Sequence, residues 1–416
     1  MNILDDLRWR GLIHDSTDLD ALGEHLGGRI TFYVGFDPTA ASLHVGHLTQ
    51  VITARRLQLA GHRPVLLVGG ATGQIGDPRE TSERVLNPTE VVAGWVENIR
   101  AQVSPFVTYD GDNGAVVVNN LDWTGQISAI DFLRDVGKHF PVNRMLAREV
   151  VKARLESGIS FTEFSYQLLQ ANDFYELNRR HGCTLQFGGS DQWGNITAGV
   201  DYIRRRGAGP VHAFSTPLVT TATGAKIGKS EGNGTWLDRE LTSPYAFYQH
   251  WFNTDDSMIG LYLRRFSFSS HEEIEELEKQ TAERPAARAA QRHLAEELTT
   301  LVHGADERDQ AVAASQALFG RAELADLKPA TLGAALGEAG LTTVEGGAPS
   351  IAALFKESGL AKSLSDARRA VAEGGAYVNN VRVTDPEATL SGDELLHGKY
   401  AVLRRGKRNI AGVEVR

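Results

Sequence analysis

Short apolar segments alternate with helix-like segments along the first half of the chain. The apolar segments lie at residues 30–36, 64–70, 114–120, 183–189 and 212–220. They lack the polar alternation of half-exposed strands, and a helical pattern, GHLTQVITARRLQLAG, separates the first two. Runs of this kind are typical of a parallel sheet covered by helices on both faces. The pattern predicts a Rossmann-like, doubly wound α/β domain over residues 1–220, with ligand sites beyond the carboxyl ends of the strands.

The pattern changes twice further along the chain. Residues 236–327 contain long helix-like stretches, which predict a helical domain. Residues 328–350 contain Pro, Gly and Thr without strong periodicity, which predicts a linker. Residues 351–416 predict a small α+β domain, with a short basic helix capped by Ser365 and a hairpin that turns at residues 379–380.

The composition excludes several classes of protein. A chain of 416 residues that is 42% apolar and 23% charged is typical of a globular protein with two or three domains. Its one cysteine, Cys183, excludes an intramolecular disulfide and a multi-cysteine zinc site. It has no run of 18 apolar residues and no apolar segment of a signal peptide. We therefore expect a cytoplasmic enzyme without a membrane partner.

The charge is unevenly distributed along the chain. The net charge is −9, but residues 351–416 contain 11 Lys and Arg against 8 Asp and Glu. The last segment is therefore basic whereas the rest of the chain is acidic. Such an asymmetry favours localised contact with nucleic acid.

Two lysines lie in a glycine-rich stretch, TGAKIGKSEGNGT, within a loop that we place at residues 221–235. Its end resembles a P-loop, but Thr223 stands where a P-loop has its first glycine, and the later glycines disfavour an immediate helix. No G-x-G-x-x-G follows a predicted strand, so a dinucleotide cofactor is not indicated. Taken alone, the loop could also be a solvated segment with two ordinary lysines.

A pair of histidines lies where the first predicted strand gives way to a helix. In HVGH, His44 and His47 point the same way, and Gly46 between them lets a flat ring or a backbone approach closely. Two imidazoles at the positive end of a helix form a site for phosphate oxygens. A zinc site is disfavoured because the stretch lacks H-E-x-x-H and a nearby third ligand. Taken alone, the pair could also be a simple helix cap.

Together these two motifs resemble the signature pair of the class I aminoacyl-tRNA synthetases. HVGH is similar to the HIGH motif of that family, and KIGKS, which follows in the same order, is similar to KMSKS. The resemblance implies that ATP is a substrate, with Mg²⁺ accompanying its phosphates and no dedicated protein metal site. It also implies two catalytic pairs: His44 and His47 on the α-phosphate side, and Lys226 and Lys229 over the leaving pyrophosphate.

Three further segments, GFDPT, FSYQLLQANDF and GGSDQWGN, resemble the tyrosyl branch of this family. The resemblance implies activation of L-tyrosine to tyrosyl-adenylate and its transfer to the 3′ end of tRNA(Tyr) by a homodimer. The residues that it implies for tyrosine binding are Tyr33, Asp77, Tyr166, Gln170, Asp173 and Gln192. The residues that it implies for ATP binding are Asp37, Thr39, His44, Gly46, His47, Gly189, Asp191, Lys226, Lys229 and Ser230.

The resemblance also implies how the tyrosine-binding residues divide their work. Asp77, Tyr166 and Gln170 hold the α-amino group, whereas Tyr33 and Asp173 meet the phenolic hydroxyl. A polar stripe on a helix is otherwise a solvated face, and the tryptophanyl branch is the nearest alternative. A buried carboxylate suits a phenolic O–H better than the indole pocket of that branch.

The loop after Asp77 departs from the pattern of the family. Where the family often has a lysine, this chain has RETSERVLN, with Arg79 and Arg84 as its only cations. Arg84 keeps the basic position. The additional pyrophosphate contact of the family's lysine is therefore not carried over to this chain.

The last segment resembles the small RNA-binding module of a ribosomal small-subunit protein, in the stretch SLSDARRAVAEGGAYVNNVRV. The phosphate contacts that we expect from it are Arg368, Arg369, Arg404, Arg405, Lys407 and Arg408. A non-catalytic RNA-binding relative is the alternative function. It is disfavoured because both signature histidines and both signature lysines are present.

Overall fold

The computed structural model describes residues 2–79, 82–225, 227, 234–345, 349–407 and 409–416. These residues form two compact units. The first unit contains Met1–Asp238 and Asp255–Lys279, and the second contains Arg239–Thr254 and Gln280–Arg416. The chain therefore leaves the first unit after residue 238 and returns to it for residues 255–279.

The first unit is built on one sheet with helices around it. Its strands are β1 (Asp15–Ser16), β2 (Thr31–Phe36), β3 (Arg63–Val68), β4 (Val116–Asn119), β5 (Cys183–Gly189) and β6 (His212–Thr216). Its helices before residue 239 are α1 (Ile3–Trp9), α2 (Leu19–Leu26), α3 (Leu48–Leu59), α4 (Thr72–Ile75), α5 (Thr89–Val103), α6 (Leu121–Thr124), α7 (Ala129–Asp131), α8 (Val142–Leu146), α9 (Glu149–Lys152), α10 (Phe161–His181) and α11 (Trp193–Arg205).

The strand order is β1-β6-β5-β2-β3-β4, and all neighbours are parallel except β1 and β6. This arrangement confirms the predicted doubly wound parallel sheet. The chain runs from β2 outward to β3 and β4, and then crosses back to β5 and β6 on the other side. The order of the strands thus reverses between β2 and β5, where the carboxyl ends of parallel strands leave a crevice for a ligand.

Helix α10 crosses this region with its ends well defined by the sequence. Ser160 caps its first turn by accepting a hydrogen bond from the backbone N–H of Glu163. At its other end Gly182 adopts a left-handed conformation, with φ of +62°, which favours glycine. The helix is 21 residues long, and it is flanked by β5 and α11.

The helices predicted within residues 236–327 are present, but the units divide them. The first unit includes α13 (Asp256–Phe266) and most of α14 (His271–Glu283). The second unit includes α12 (Pro244–Phe252), α15 (Ala289–His303), α16 (Ala305–Ala317) and α17 (Pro329–Ala339). A single helical domain at these bounds does not describe the packing.

The second unit also contains a five-stranded sheet with the order β7-β11-β10-β8-β9. Its strands are β7 (Leu341–Val344), β8 (Ala376–Val378), β9 (Val381–Arg382), β10 (Tyr400–Arg405) and β11 (Asn409–Val415), and two further helices, α18 (Ile351–Glu357) and α19 (Leu364–Ala372), accompany it. The predicted hairpin turn is confirmed, because Asn379 and Asn380 have φ of 46° and 65° between β8 and β9. The predicted cap of the basic helix is wrong by two residues: Ser363, not Ser365, accepts from the N–H of Asp366.

The prediction of a linker at residues 328–350 is wrong, because this range contains α17 and β7. Leu332 and Leu336 of α17 are fully buried, and β7 pairs in parallel with β11. Gly333, one of the glycines that made the range look irregular, allows close packing instead, because a Cβ there would lie 2.6 Å from the hydroxyl of Tyr400. Gly412 of β11 allows α17 to approach the sheet, because a Cβ there would lie 2.6 Å from Leu336 Cβ.

Across the described part of the chain, the helices are too short or too polar for any of them to span a lipid bilayer.

Candidate active site

The HVGH turn, residues 44–47, lies beyond the carboxyl end of β2 and leads into α3. The backbone N–H of Gly46 donates to His44 Nδ1, and the N–H of His44 donates to His47 Nδ1, both at 3.1 Å. A ring nitrogen that accepts a hydrogen bond carries no proton, so in the neutral form of each ring the proton is on Nε2. The two rings lie 4.0 Å apart and can both act as hydrogen-bond donors. The turn is thus a helix cap, and its geometry also suits phosphate oxygens.

Gly46 lies in a confined position within this turn. A Cβ there would be 2.9 Å from the His44 ring and 2.9 Å from the carbonyl oxygen of Ile227. Ile227 belongs to the lysine-bearing loop predicted at residues 221–235, so the backbone of that loop touches the HVGH turn. Any side chain at position 46 would push the two signature motifs apart.

The flanks of this loop are also attached to the turn. The N–H of Val45 donates to the carbonyl of Thr235 at 2.9 Å, and the N–H of Leu237 donates to Leu43 at 2.8 Å. The catalytic prediction for Lys226 and Lys229, and the ATP-binding prediction for Ser230, lie outside the described residues. Two described residues on either side of Lys229 and Ser230, Ile227 and Thr235, nevertheless lie against the HVGH turn.

Asp37 lies directly after β2, is partly buried, and accepts hydrogen bonds from two hydroxyl groups. Thr72 Oγ1 donates to one carboxylate oxygen, and the hydroxyl of Tyr166 donates to the other, both at 2.6 Å. Burial raises the pKa of Asp37, and the two hydrogen bonds oppose this effect. Tyr166 is predicted to hold an α-amino group, and the structure shows that its hydroxyl also donates to the carboxylate of Asp37. Thr39 is attached to the same turn, because its N–H donates to the Asp37 carbonyl at 2.9 Å.

Asp173 and Tyr33 form the buried polar end of the site. Asp173 accepts hydrogen bonds from Asn120 Nδ2 at 2.9 Å and from Trp123 Nε1 at 2.8 Å. Burial raises the pKa of Asp173 to about 7, although both donors favour the ionised form. The hydroxyl of Tyr33 is buried and has no hydrogen-bond partner among the described residues. A buried hydroxyl beside a buried carboxylate can pair with a polar group of a ligand.

A third carboxylate of the site, Asp77, is held by two amides at the amino end of α11. Gln192 Nε2 donates to one of its oxygens at 2.9 Å, and Asn195 Nδ2 donates to the other at 3.1 Å. Gln170 lies on α10 between Tyr166 and Asp173, and its Oε1 is buried without a partner among the described residues. Asp77 and Gln170 thus offer acceptors to an ammonium group.

The Gly189–Asp191 segment begins at the last residue of β5, at the same edge of the sheet. A Cβ on Gly189 would lie 2.6 Å from Asp191 Oδ1, so this side chain folds over the glycine. The structure therefore brings the described residues of the predicted site to the carboxyl ends of β2 and β5 and to α4, α10 and α11.

Several residues of the site were missed by the sequence reasoning. Asn120 and Trp123 hold Asp173, Thr72 holds Asp37, and Asn195 holds Asp77. Asn120 had a usable signal, because it is the last residue of a predicted strand and the site lies at the carboxyl ends of the strands. Arg148 had no such signal; its guanidinium lies against Gly194, and burial lowers its pKa while the nearby Asp77 raises it.

The described residues contain no group of three or more His, Cys, Asp or Glu that could hold a metal ion. The HVGH turn offers N–H donors, which suit phosphate oxygens, and not the oxygen ligands that Mg²⁺ prefers. Any Mg²⁺ at this turn would therefore depend on the phosphates for its ligands.

Those predicted RNA contacts that belong to the described residues lie on α19, on β10 and in the turn that follows. Most of these cations already have partners: Arg368 pairs with Glu387 at 2.7 Å, and Asp366 pairs with both Arg369 and Arg405 at 2.8 Å. The hydrogen bond from Arg405 holds the pKa of Asp366 well below its usual range. Lys407 is exposed, and the prediction for Arg408 lies outside the described residues. The exposed arginines of α19 would exchange surface ion pairs for phosphates, which costs little.

Two family descriptions match the chain. The tRNA synthetases class I (W and Y) match residues 25–320, and the tyrosine–tRNA ligase SYY-like C-terminal domain matches residues 335–412. The second match begins inside α17, in keeping with the observed packing of that helix on the sheet.

Among curated proteins, the tyrosine–tRNA ligase of Streptomyces coelicolor is 62% identical, over 100% of this chain and 99% of its own. The tyrosine–tRNA ligase of Corynebacterium glutamicum is 55% identical over 100% of both chains. Among solved structures, a C-terminally truncated mitochondrial tyrosyl-tRNA synthetase of Aspergillus nidulans is 31% identical with a TM-score of 0.70. This likeness covers 76% of this chain and 94% of that one.

Proposed function

The chain belongs to the class I tRNA synthetases of the tryptophan and tyrosine type, and we propose that it is a tyrosine–tRNA ligase. It activates L-tyrosine with ATP to tyrosyl-adenylate, releases pyrophosphate, and transfers tyrosine to the 3′ end of tRNA(Tyr) in protein biosynthesis. The observation that carries this proposal is the buried polar end of the site, where the hydroxyl of Tyr33 is buried without a partner among the described residues and lies within the electrostatic influence of the buried carboxylate of Asp173. The names of the highly similar relatives agree with it.

The phenolic hydroxyl of the substrate pairs with Asp173 and Tyr33. Asn120 and Trp123 each use one oxygen of the Asp173 carboxylate, which fixes its plane and leaves further lone pairs to accept the phenolic proton. The hydroxyl of Tyr33 then gains the partner that it lacks among the described residues. Phenylalanine would leave both groups buried and unsatisfied, which is the physical basis of selectivity.

The ammonium group of the substrate pairs with Asp77 and the Oε1 of Gln170. The hydroxyl oxygen of Tyr166 accepts from the same ammonium group, while its proton is donated to Asp37. Gln192 holds Asp77 at 2.9 Å and lies on the side of the substrate carboxylate. With both polar ends of tyrosine fixed, its carboxylate is held in one orientation for attack.

Activation forms a bond between a carboxylate oxygen of tyrosine and the α-phosphorus of ATP. The bond from that phosphorus to the bridging oxygen breaks, and pyrophosphate leaves with the electron pair. Negative charge develops on the phosphate oxygens during this exchange, and the Nε2–H groups of His44 and His47 donate toward it. Lys226 and Lys229 neutralise the leaving pyrophosphate, and Ser230 contributes to ATP binding.

The remaining ATP contacts surround the nucleoside. Gly189 and Asp191 lie along the ribose, and Asp37 and Thr39 lie near the nucleotide. Gly46 lets the ATP approach the HVGH turn without a side chain between them. Mg²⁺ enters with the phosphates of ATP and neutralises part of their charge.

The second unit binds tRNA(Tyr) through its basic surface. Lys407 and the arginines of α19 and β10 supply the phosphate contacts, as the excess of positive charge in residues 351–416 suggests.

The enzyme acts as a homodimer in the cytoplasm. Between residues 130 and 161 the first unit exposes several large apolar side chains, with Ile130 71%, Val142 59% and Phe161 69% exposed. A symmetric contact with a second copy of the chain would remove such side chains from water.

The experiment that tests this function is ATP–pyrophosphate exchange by the purified protein with tyrosine, tryptophan or phenylalanine. We expect exchange that depends on tyrosine, followed by charging of tRNA(Tyr). Exchange that depends on tryptophan would assign the chain to the other branch of the family. Absence of exchange with all three amino acids would favour a non-catalytic RNA-binding protein.

A further inference from the structure

A buried ion pair lies beside the loop that carries Asp77. Arg154 Nη1 and Glu163 Oε2 are 3.2 Å apart, and their side chains are only 4% and 2% exposed. Burying two charges is costly, and such a pair is weak evidence of stabilisation by itself. Its other hydrogen bonds show what the pair is attached to.

Both members of the pair bond to the backbone of the loop that connects α4 with α5. Arg154 Nη1 donates to the carbonyl of Arg79 at 2.9 Å, and Glu163 Oε1 accepts from the backbone N–H of Arg84 at 2.8 Å. Arg154 Nε also donates to the carbonyl of Gly158, so the guanidinium is held on two sides. The pair thus fixes the loop at two points, five residues apart.

A hydrogen bond within the same loop joins Arg84 to Asp77, the residue proposed to bind the substrate's ammonium group. Arg84 Nε donates to the backbone carbonyl of Asp77 at 2.6 Å. The Arg84 side chain crosses Gly76, where a Cβ would lie 2.4 Å from Arg84 Cδ and where φ is +81°. Fixing the backbone of Arg84 therefore fixes the backbone of Asp77, whose carboxylate faces Gln192 and Asn195.

We propose that Glu163 and Arg154 are positioning residues for tyrosine binding, because they hold the loop in the shape that presents Asp77 to the substrate's ammonium group. The proposal rests on the proposed function. Neither residue touches the substrate, and neither belongs to the set of residues that the sequence pattern assigns to the site. The pair acts by holding the backbone of the loop: the attraction of the two buried charges fixes the two side chains, and their hydrogen bonds to Arg79 and Arg84 then fix the loop.

The test compares Glu163→Gln with the wild type in tyrosine-dependent pyrophosphate exchange. The amide keeps the size of the side chain but loses the charge that holds Arg154. We expect the KM for tyrosine to rise about tenfold, as for the loss of a hydrogen bond to a charged group, with kcat and the KM for ATP changed less than about twofold. The matched control is Glu278→Gln, which breaks a bidentate pair with Arg264 in the same unit. It should leave all three parameters unchanged.

A double-mutant cycle separates positioning from a general structural effect. Asp77→Asn alone should raise the KM for tyrosine, and Glu163→Gln should add little to it, because the loop then has no carboxylate to present. Arg154→Lys, which keeps the charge but loses the fork between Arg79 and Glu163, should raise the KM for tyrosine less than Glu163→Gln does. It is also the variant to use if Glu163→Gln does not fold.

Two outcomes would overturn the proposal: an unchanged KM for tyrosine in both variants of the pair, or fully additive effects of Asp77→Asn and Glu163→Gln. Either could occur in an enzyme whose wild type shows tyrosine-dependent exchange. Failure of the positioning proposal is therefore distinguishable from failure of the proposed function, which would appear in the wild type.

Discussion

Trp123 donates its indole N–H to Asp173 at 2.8 Å, from a short helix that begins two residues after β4. Asn120 donates to the other oxygen of Asp173. The carboxylate of Asp173, on α10, is therefore held in place by two donors that follow β4 in the chain. The carboxylate is nevertheless buried, and burial outweighs both donors, so that its pKa is raised to about 7. Ionisation of Asp173 in the folded protein is therefore costly.

This cost predicts how stability depends on pH. An ordinary aspartate has a pKa of 3.8, whereas the pKa of Asp173 in the folded protein is about 7. Because the folded protein then retains a proton that the unfolded chain has lost, the contribution of Asp173 to the free energy of unfolding falls as the pH rises from about 4 to about 7, and is constant above. Relative to Asp173→Asn, the wild type should lose roughly 2–3 kcal/mol between pH 5 and pH 8. Urea unfolding of the wild type and of Asp173→Asn at the two pH values measures this loss. If the difference in unfolding free energy between the two proteins is the same at pH 5 and pH 8, the pKa of Asp173 is not raised.

Gly46→Ala tests the contact between the two signature motifs. The new Cβ would lie 2.9 Å from both the His44 ring and the carbonyl of Ile227, so the turn or the loop must move. We expect the rate of tyrosyl-adenylate formation to fall by at least tenfold, since small displacements of catalytic groups are costly, with tyrosine binding unchanged. Gly94→Ala in α5 is the control, because a Cβ there meets nothing within 4 Å. A normal rate of adenylate formation in Gly46→Ala would show that the close approach is not needed.

Lys229→Ala tests the lysines of the loop at residues 221–235. An interaction with the leaving pyrophosphate is made mainly in the transition state, so its loss lowers the rate of activation more than the affinity for tyrosine. Pre-steady-state measurement of adenylate formation, together with tyrosine binding at equilibrium, separates the two effects. An unchanged activation rate would exclude this role for Lys229.

Lys407→Ala tests the RNA-binding surface of the second unit. Deletion of residues 351–416 is unsuitable as a test, because it would remove β11 from β7 and uncover Leu336 of α17. The point variant should raise the KM for tRNA and leave pyrophosphate exchange unchanged. The affinity of the variant for tRNA should also depend less steeply on salt. The slope of log affinity against log salt concentration should be smaller by about 0.7–0.9, as for the loss of one phosphate contact. Arg416→Ala, which removes a charge paired with Glu414, is the control; equal effects of both variants would indicate only a change in net charge.

The sequence predicted those features that depend on local pattern. Apolar runs identify β2, β3, β4, β5 and β6, because strands buried on both faces carry few polar residues. The spacing of Tyr166 and Asp173 placed them on one side of α10, and both are buried at the site.

Features that depend on distant contacts were not predictable in this way. Trp123 binds Asp173 across 50 residues, and Arg84 is held by Glu163 across 79 residues. Such pairs have no period along the chain. Helix α17 was missed for another reason: its glycines look like breaks, whereas Gly333 allows contact with Tyr400.

The most direct test of the account is the ratio of kcat/KM for tyrosine to that for phenylalanine, measured by pyrophosphate exchange in the wild type and in Tyr33→Phe. The substitution removes only the buried hydroxyl that lies beside Asp173, and the ring that packs on Phe174 is kept. We expect the wild type to prefer tyrosine strongly and the variant to lose roughly tenfold of that preference, the upper end for one hydrogen bond. Most of the loss should come from slower use of tyrosine. If the ratio in Tyr33→Phe equals that of the wild type, Tyr33 does not contact the phenol, and the orientation of the substrate proposed for this pocket is wrong.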